Sequence, residues 1–226
     1  MSEQLTLDLP IRDDFSPEAF VAGAANADAR AALTQWRDWP RGALLLCGPA
    51  GAGKTHMAAI WARMSQADAV EASDLEAFLP DFASDRALVV ENADRVPAGE
   101  ALFHVLNRAM EDDMPGLLLT ARVLPALWTV TVPDLVSRLK ALPVVDIHEP
   151  DDDLLSHLLE KQLMDRGTAI DPGVIHYLLP RIERSVEAVR ELVDRLDKCA
   201  LVNQTPINRT VARTVLAAWD DERNAS

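Results

Sequence analysis

Ala43-Leu44-Leu45-Leu46-Cys47-Gly48-Pro49-Ala50-Gly51-Ala52-Gly53-Lys54-Thr55 is the stretch on which the reading of the chain turns. Five apolar residues in succession describe a strand buried on both faces, and glycine ends it. The next eight residues fit GxxxxGK[ST], and a helical pattern over 54–66 starts at once. Strand, glycine-rich loop and helix in that order aim backbone N–H groups and a helix N-terminus at one point, where a phosphate chain is held. Lys54 would reach the β- and γ-phosphates and the Thr55 hydroxyl would ligate Mg²⁺. The plain alternative is an ordinary glycine-rich turn.

Outward from this point, strands and helices alternate. Ala-rich residues 26–39 read as a helix stopped by Pro40, and a short strand near 69–72 precedes a helix opened by Ser73-Asp74. Residues 86–90 form a second buried strand that ends in acid. After Pro97, Leu102, Val105, Leu106, Ala109 and Met110 fall at helical spacing. A strand at 116–120, a helix near 134–140 and a strand at 143–147 complete the series, which predicts an α/β fold with a parallel, doubly wound sheet. Beyond Glu149-Pro150-Asp151-Asp152-Asp153 only helical patterns follow, over 153–166, 172–180, 185–201 and 207–219. In the third, Val186, Val189, Val193, Leu196 and Ala200 line one face. The expected organisation is a tail over 1–17, an α/β nucleotide-binding domain over 18–150 and a small all-helical lid over 151–226.

Composition narrows the function classes. The 22 Lys and Arg against 36 Asp and Glu leave a formal charge of −14 over 226 residues, with no continuous basic stripe, which argues against a protein that coats DNA. The 49% apolar and 26% charged residues are globular proportions. No apolar run approaches the ~20 residues that span a bilayer, and the acidic N-terminus lacks the features of a secretory signal, so no membrane association and a cytoplasmic location are expected. Cys47 lies in an apolar run and Cys199 in a helical pattern; both read as core thiols. The five histidines form neither HExxH nor a pair on one helical face, so a zinc hydrolase is not supported.

Three further positions carry chemistry. At the end of the second strand stand Glu91-Asn92, where a P-loop ATPase has an acid for Mg²⁺ and then a carboxylate that polarises water. Glu91 can hold a metal-bound water; Asn92 cannot act as a carboxylate base, so weak intrinsic hydrolysis is expected. Glu91 as a mere strand cap, or Asp94 as a substitute acid under a shifted register, are the alternatives. Arg138, in Pro133-Asp134-Leu135-Val136-Ser137-Arg138-Leu139, offers a permanent cation to a γ-phosphate on this subunit or a neighbour, or else is a surface arginine. Arg190 is a second such cation beside an apolar helix face, or a helical partner of Glu187 or Asp194.

Taken together these residues resemble the AAA+ ATPases of the DnaA branch, and within it the Hda-type regulatory inactivators. Gly48 to Thr55 resembles the family's Walker A motif. Glu91-Asn92 resembles its Walker B, where Hda-type members also tend to carry Asn second. Pro133–Leu139 resembles the segment that bears the arginine finger, here Arg138, and Val189-Arg190-Glu191-Leu192 resembles sensor 2. Phe20-Val21-Ala22-Gly23 resembles the segment that covers adenine. The resemblance thus implies an ADP or ATP site built from Val21, Pro49, Ala50, Gly51, Ala52, Gly53, Lys54, Thr55, His56 and Arg190, with Mg²⁺ on Thr55 and Glu91 and catalytic roles for Arg138 and Asn92. One departure concerns sensor 1, where the family has an acid or polar group and this chain reads Thr120-Ala121-Arg122, so Thr120 is the one conventional polar candidate and Arg122 counts against that function. Ser226 follows closely on the last helix, so the helix-turn-helix domain of DnaA, and direct sequence-specific DNA binding, are not expected.

Gln4-Leu5-Thr6-Leu7-Asp8-Leu9 resembles the peptide by which Hda-type proteins bind the bacterial sliding clamp, the β subunit of DNA polymerase III. An extended tail could seat Leu5, Leu7 and Leu9 in an apolar groove while Gln4 hydrogen-bonds; an edge strand or a packing arm is the alternative. The resemblance implies a negative regulator of replication initiation that stimulates ATP hydrolysis by DnaA, and sites completed between subunits, which a homodimer would satisfy. The competing readings are an autonomous ATPase resembling a helicase loader, and a nucleotide-binding adaptor with inert arginines.

Overall fold

The computed structural model describes residues 21, 23–83, 85–96, 99–130 and 132–224. Among them, five parallel strands form one sheet in the order β2-β3-β4-β1-β5. The strands are β1 (Ala43–Cys47), β2 (Asp68–Glu71), β3 (Leu88–Glu91), β4 (Leu117–Ala121) and β5 (Val144–Asp146). The chain leaves β1 for the far edge and returns strand by strand, so the carboxyl ends of β3, β4 and β1 lie side by side. Register pairs Cys47 with Ala121 and Glu71 with Glu91, which brings the loops after these strands to one rim of the sheet.

Alternate residues of each strand serve two separate cores, as the period of two requires. Leu45, Val90 and Leu119 pack with Leu75, Leu102, Leu106 and Leu135 on one face. These come from α3 (Leu75–Phe78), α4 (Glu100–Met110) and α5 (Pro133–Lys140). Leu44, Leu46, Val89 and Leu118 pack on the other face with α1 (Ala27–Thr34) and α2 (Lys54–Ser65). A third core joins α6 (Asp152–Asp165), α7 (Pro172–Leu178), α8 (Val186–Asn203) and α9 (Arg209–Asn224), and includes no strand residue. Asp151, Asp171 and Ser185 open the first three of these helices, each accepting a hydrogen bond from an N–H of the first turn.

The helix expected over 26–39 is broken. It ends at Thr34, and a 3₁₀ turn at Trp36–Asp38 follows. The turn brings Trp36 and Trp39 inward together: Trp39 stacks on Trp61 at 5.1 Å, Trp36 meets it edge-on at 5.9 Å, and Trp39 Nε1 donates to the Ala32 carbonyl at 2.8 Å. Tertiary packing of aromatic rings outweighs the modest helix propensity of the segment. The second buried strand runs over Leu88–Glu91, leaving Arg86 outside to pair with Asp68 at 3.0 Å.

Trp61 is fully buried on α2, the helix that begins with Lys54. Its indole Nε1 has no hydrogen-bond partner. Trp61→Ala should therefore lower stability by about 3–5 kcal/mol in a denaturant titration. Trp61→Phe, which also removes the unpartnered donor, should cost less than about 2 kcal/mol.

Candidate nucleotide-binding site

The loop after β1 is wedged into the rim. Gly48 N donates to the Ala121 carbonyl at 3.1 Å, and a Cβ at Gly48 would stand 2.4 Å from the Ile147 carbonyl oxygen. No other residue fits there without moving β5 away. The Lys54 ammonium is buried and donates to the carbonyls of Gly48 and Pro49, each at 2.7 Å. Burial, and next the charge of Arg122, hold this amine below its ordinary pKa. A buried ammonium whose acceptors are only neutral carbonyls gains most from an anion.

Lid and loop touch directly. Gly51 has φ +73, its carbonyl accepts from Val186 N at 3.0 Å, and a Cβ there would lie 2.3 Å from the Ser185 Cβ. The start of α8 therefore closes over the loop. Between them lies a cavity of about 550 Å³ lined by Ala50, Gly51, Gly53, Lys54, Thr55 and His56 from the core, and by Val186, Glu187 and Arg190 among others from the lid. Arg190 lies 3.2 Å from His56 Nδ1 through its Nη2, which joins α8 to α2. Asp194, one of the helical neighbours considered for Arg190, is ion-paired with Arg166.

Glu91 and Asn92 line the same cavity but differ from a carboxylate pair in what they do. Thr120, fully buried, donates its hydroxyl to Glu91 Oε2 at 2.5 Å and accepts from Asn92 N at 3.0 Å. Burial raises the Glu91 pKa; the Thr120 hydrogen bond opposes this and the neighbouring Glu71 charge adds to it. Thr55 lies near enough to Glu91 to oppose the rise as well, as the Lys54 charge does. Asn92 sits in the left-handed region at φ 53, which Asn tolerates better than most residues, and its amide donates to Glu71 Oε2 at 2.9 Å. Asp94 is not the strand-end acid: it lies in the 3₁₀ turn Ala93–Arg95, and its Oδ2 accepts from Arg122 N at 3.2 Å.

Thus Ala50, Gly51, Gly53, Lys54, Thr55, His56, Glu91, Asn92 and Arg190 come together around one cavity. Pro49 supplies a carbonyl to Lys54, and Ala52 is buried in the core; neither lines the cavity. Val21 packs against the lid core, and its carbonyl accepts from the Asn26 side chain at 3.1 Å. Arg138 stands apart on α5, half-buried, with its guanidinium 5.2 Å from the Phe103 ring and 3.6 Å from Met110 Sδ. Gln4, Leu5, Leu7 and Leu9 lie outside the described residues, as do Phe20 and Ala22. Sequence reasoning missed Glu71, and it missed Ser185 and Val186 as partners of the loop. No local pattern places Ser185 across the cleft from Gly51.

Among the described residues no cluster of three His, Cys, Asp or Glu side chains could hold a metal alone. Thr55 beside Glu91 nevertheless fits Mg²⁺, which takes one or two protein ligands and completes its shell with phosphate and water. No helix among the described residues is long and apolar enough to cross a membrane.

No family model matches the chain. Solved structures do. Domain III of the replication initiation protein DnaA from Thermotoga maritima superposes with a TM-score of 0.76 at 17% identity, over 93% of this chain and 98% of that one. AMPPCP-bound DnaA from Aquifex aeolicus gives 0.67 at 17% identity, over 80% of this chain and 64% of that one. The RuvB Holliday junction branch migration motor of Thermotoga maritima gives 0.64 at 19% identity, over 86% and 66%. The chain therefore spans just under two thirds of the Aquifex and Thermotoga RuvB chains it matches. The fold is the one shared by DnaA domain III and the RuvB motor: a parallel sheet with flanking helices, followed by a helical region.

Glu91 is less readily ionised in the folded chain than in the unfolded one, so its charged form costs stability once the pH exceeds the ordinary carboxylate range. In EDTA and without nucleotide, Glu91→Gln should raise the melting temperature at pH 7. The gain should vanish below about pH 4, where both folded and unfolded Glu91 are protonated. An equal gain at both pH values would contradict the assignment.

Proposed function

We propose that this protein binds ADP or ATP with Mg²⁺ between the loop Gly48–Thr55 and the lid, and acts as a negative regulator of replication initiation. The observation that carries the nucleotide reading is the convergence of the buried Lys54, Thr55, Glu91 and Arg190 on one cavity. Lys54 and the N–H groups at the start of α2 would hold phosphate oxygens. Thr55 and Glu91 would hold the cation, and Arg190 would reach the phosphates from the lid. The likeness to DnaA, one example of which carries AMPPCP, supports the same reading.

The regulatory part rests on two features. Asn92 offers an amide where a base is needed and spends it on Glu71, so intrinsic hydrolysis is expected to be weak. Arg138 does not line this chain's own cavity, which suits a finger offered to ATP held by another protein. In this reading the partner is DnaA, and Gln4, Leu5, Leu7 and Leu9 tether the chain to the DNA polymerase III sliding clamp. An arginine supplied in trans accelerates hydrolysis by about 10³–10⁵ in other P-loop systems. A net charge of −14 agrees with reaching DNA through the clamp instead of through the phosphate backbone.

The test is single-turnover hydrolysis of labelled ATP pre-bound to DnaA, with this protein and DNA-loaded clamp each omitted in turn. Acceleration should require both. Arg138→Ala should abolish it while nucleotide binding persists; undiminished acceleration would remove the finger role. Lys54→Ala should abolish binding of both ADP and ATP in a fluorescence titration. Replacing Leu7 and Leu9 by Ala should end clamp association and leave the melting temperature unchanged, whereas a large drop would make the tail a packing arm.

A further inference from the structure

In the lid, away from the nucleotide cavity, two guanidiniums lie over one aromatic ring. Arg181 Cζ stands 4.2 Å from the ring centroid of Tyr177, the sole tyrosine of the chain, and Arg209 Cζ stands 4.8 Å from it. Both arginines are anchored. Arg181 Nη1 donates to the Tyr177 carbonyl at 2.7 Å, and Asn208 Oδ1 accepts from Thr210 N and Val211 N at 2.8 and 3.1 Å, which fixes the start of α9 that carries Arg209. Arg213 follows one turn later on the same helix face, and all three arginines are exposed, as are Thr210 and Thr214. Among the described residues none of the three is ion-paired with a carboxylate. Glu183, the acid nearest to Arg181 in sequence, lines a second cavity with Gly51, Ser185 and Trp219, and Arg184 is paired with Asp152 at 2.8 Å. Like charges gathered without a carboxylate, in a chain of 36 acidic against 22 basic residues, are a cost that an anionic partner offsets.

We propose that Arg181, Arg209 and Arg213 form a contact surface of the lid for the phosphate backbone of duplex nucleic acid. The surface is made of arginine and threonine side chains, the groups that meet phosphate oxygens in such complexes. Tyr177 is covered by the two guanidiniums and packed against the lid core, so it has little ring surface for an unstacked base, and this favours paired strands over single ones. Net charge does not forbid the contact. At 0.1 M salt a charge beyond about 10 Å is largely screened, and the local arginines decide. Three phosphate contacts are few, so binding is weak and indifferent to base sequence. Such a surface acts once another contact has brought the lid close to a duplex, where the effective concentration is of the order of millimolar. The inference is independent of what the cavity holds.

The experiment is an NMR titration of the full, isotope-labelled chain with short DNA duplexes of different sequence over a series of salt concentrations, with poly-glutamate at matched anion concentration as the comparison. Wild type, Arg213→Ala and the double variant Arg181→Ala/Arg209→Ala are each titrated. Amide shifts should centre on Tyr177, Arg181, Arg209 and Arg213, and the affinity should fall with salt at a log–log slope of about −3, the same for every duplex. Arg213→Ala, which removes no contact with Tyr177, should weaken binding about threefold or more at low salt and make the slope shallower by about 1. The double variant should make it shallower by about 2, and Arg181→Lys/Arg209→Lys, which keeps the charges, should restore most of the binding. If the double variant fails to fold, Arg213→Ala decides. No shifts with duplex, shifts centred on another face, or an Arg213→Ala protein that binds as wild type does would overturn the proposal. Poly-glutamate that moves the same amides as strongly would overturn it too, since the surface would then be one for acidic protein.

Discussion

The burial of β1 on both faces is the constraint from which the rest of the structure follows. Ala43–Cys47 is buried throughout, so it must lie inside a sheet with a layer of helices on each side. β4 and β5 flank it, and the order of the sheet then delivers the ends of β3 and β4 beside its own. Gly48 can leave this crowded rim only because it has no Cβ, and α2 begins within one turn of the loop. The position of the glycine-rich loop Gly48–Thr55 is thus a consequence of where a doubly buried strand has to end.

Charge at that rim is arranged in an unusual way. Strand β3 supplies one carboxylate, Glu91, already engaged by the Thr120 hydroxyl. The residue after it turns the backbone through the left-handed region and gives its amide to Glu71 on the next strand. A second carboxylate is therefore present near the strand ends, but it is exposed on β2 and held there by Asn92. Positive charge, by contrast, reaches the cavity from three elements: Lys54 on α2, Arg122 after β4 and Arg190 on α8. The carboxylates of Glu187, Glu191 and Asp194 on α8 line the same cavity.

The lid is coupled to the loop by contacts that involve no ligand. The Val186 N–H to the Gly51 carbonyl and the Arg190–His56 contact both bridge core and lid. A third bridge is the segment around Asn26, where His148 N donates to the Ala25 carbonyl and Gly23 packs tightly on Leu154 of α6. Whatever enters the cavity must therefore fit between two bodies whose cores are separate but whose contact runs through the loop backbone itself.

Local pattern was enough for much of this. The parallel sheet, its five strands to within a residue or two, the lid helices and the Gly48–Thr55 loop were legible because each follows from hydrophobic period or from residues that adopt one backbone geometry. The break at Thr34, by contrast, depends on Trp61, 27 positions after it in the chain. The partners of Asn92, the contact of Ser185 with Gly51 and the place of Arg122 and Lys54 on one cavity likewise join residues 21 to 134 positions apart, as does Arg190 with His56. Sequence determined which residues could carry charge and phosphate-binding backbone, since those are properties of a residue and its near neighbours. Only the tertiary structure decided which charges share a cavity, because strand order and the docking of the lid set distances that no local pattern contains.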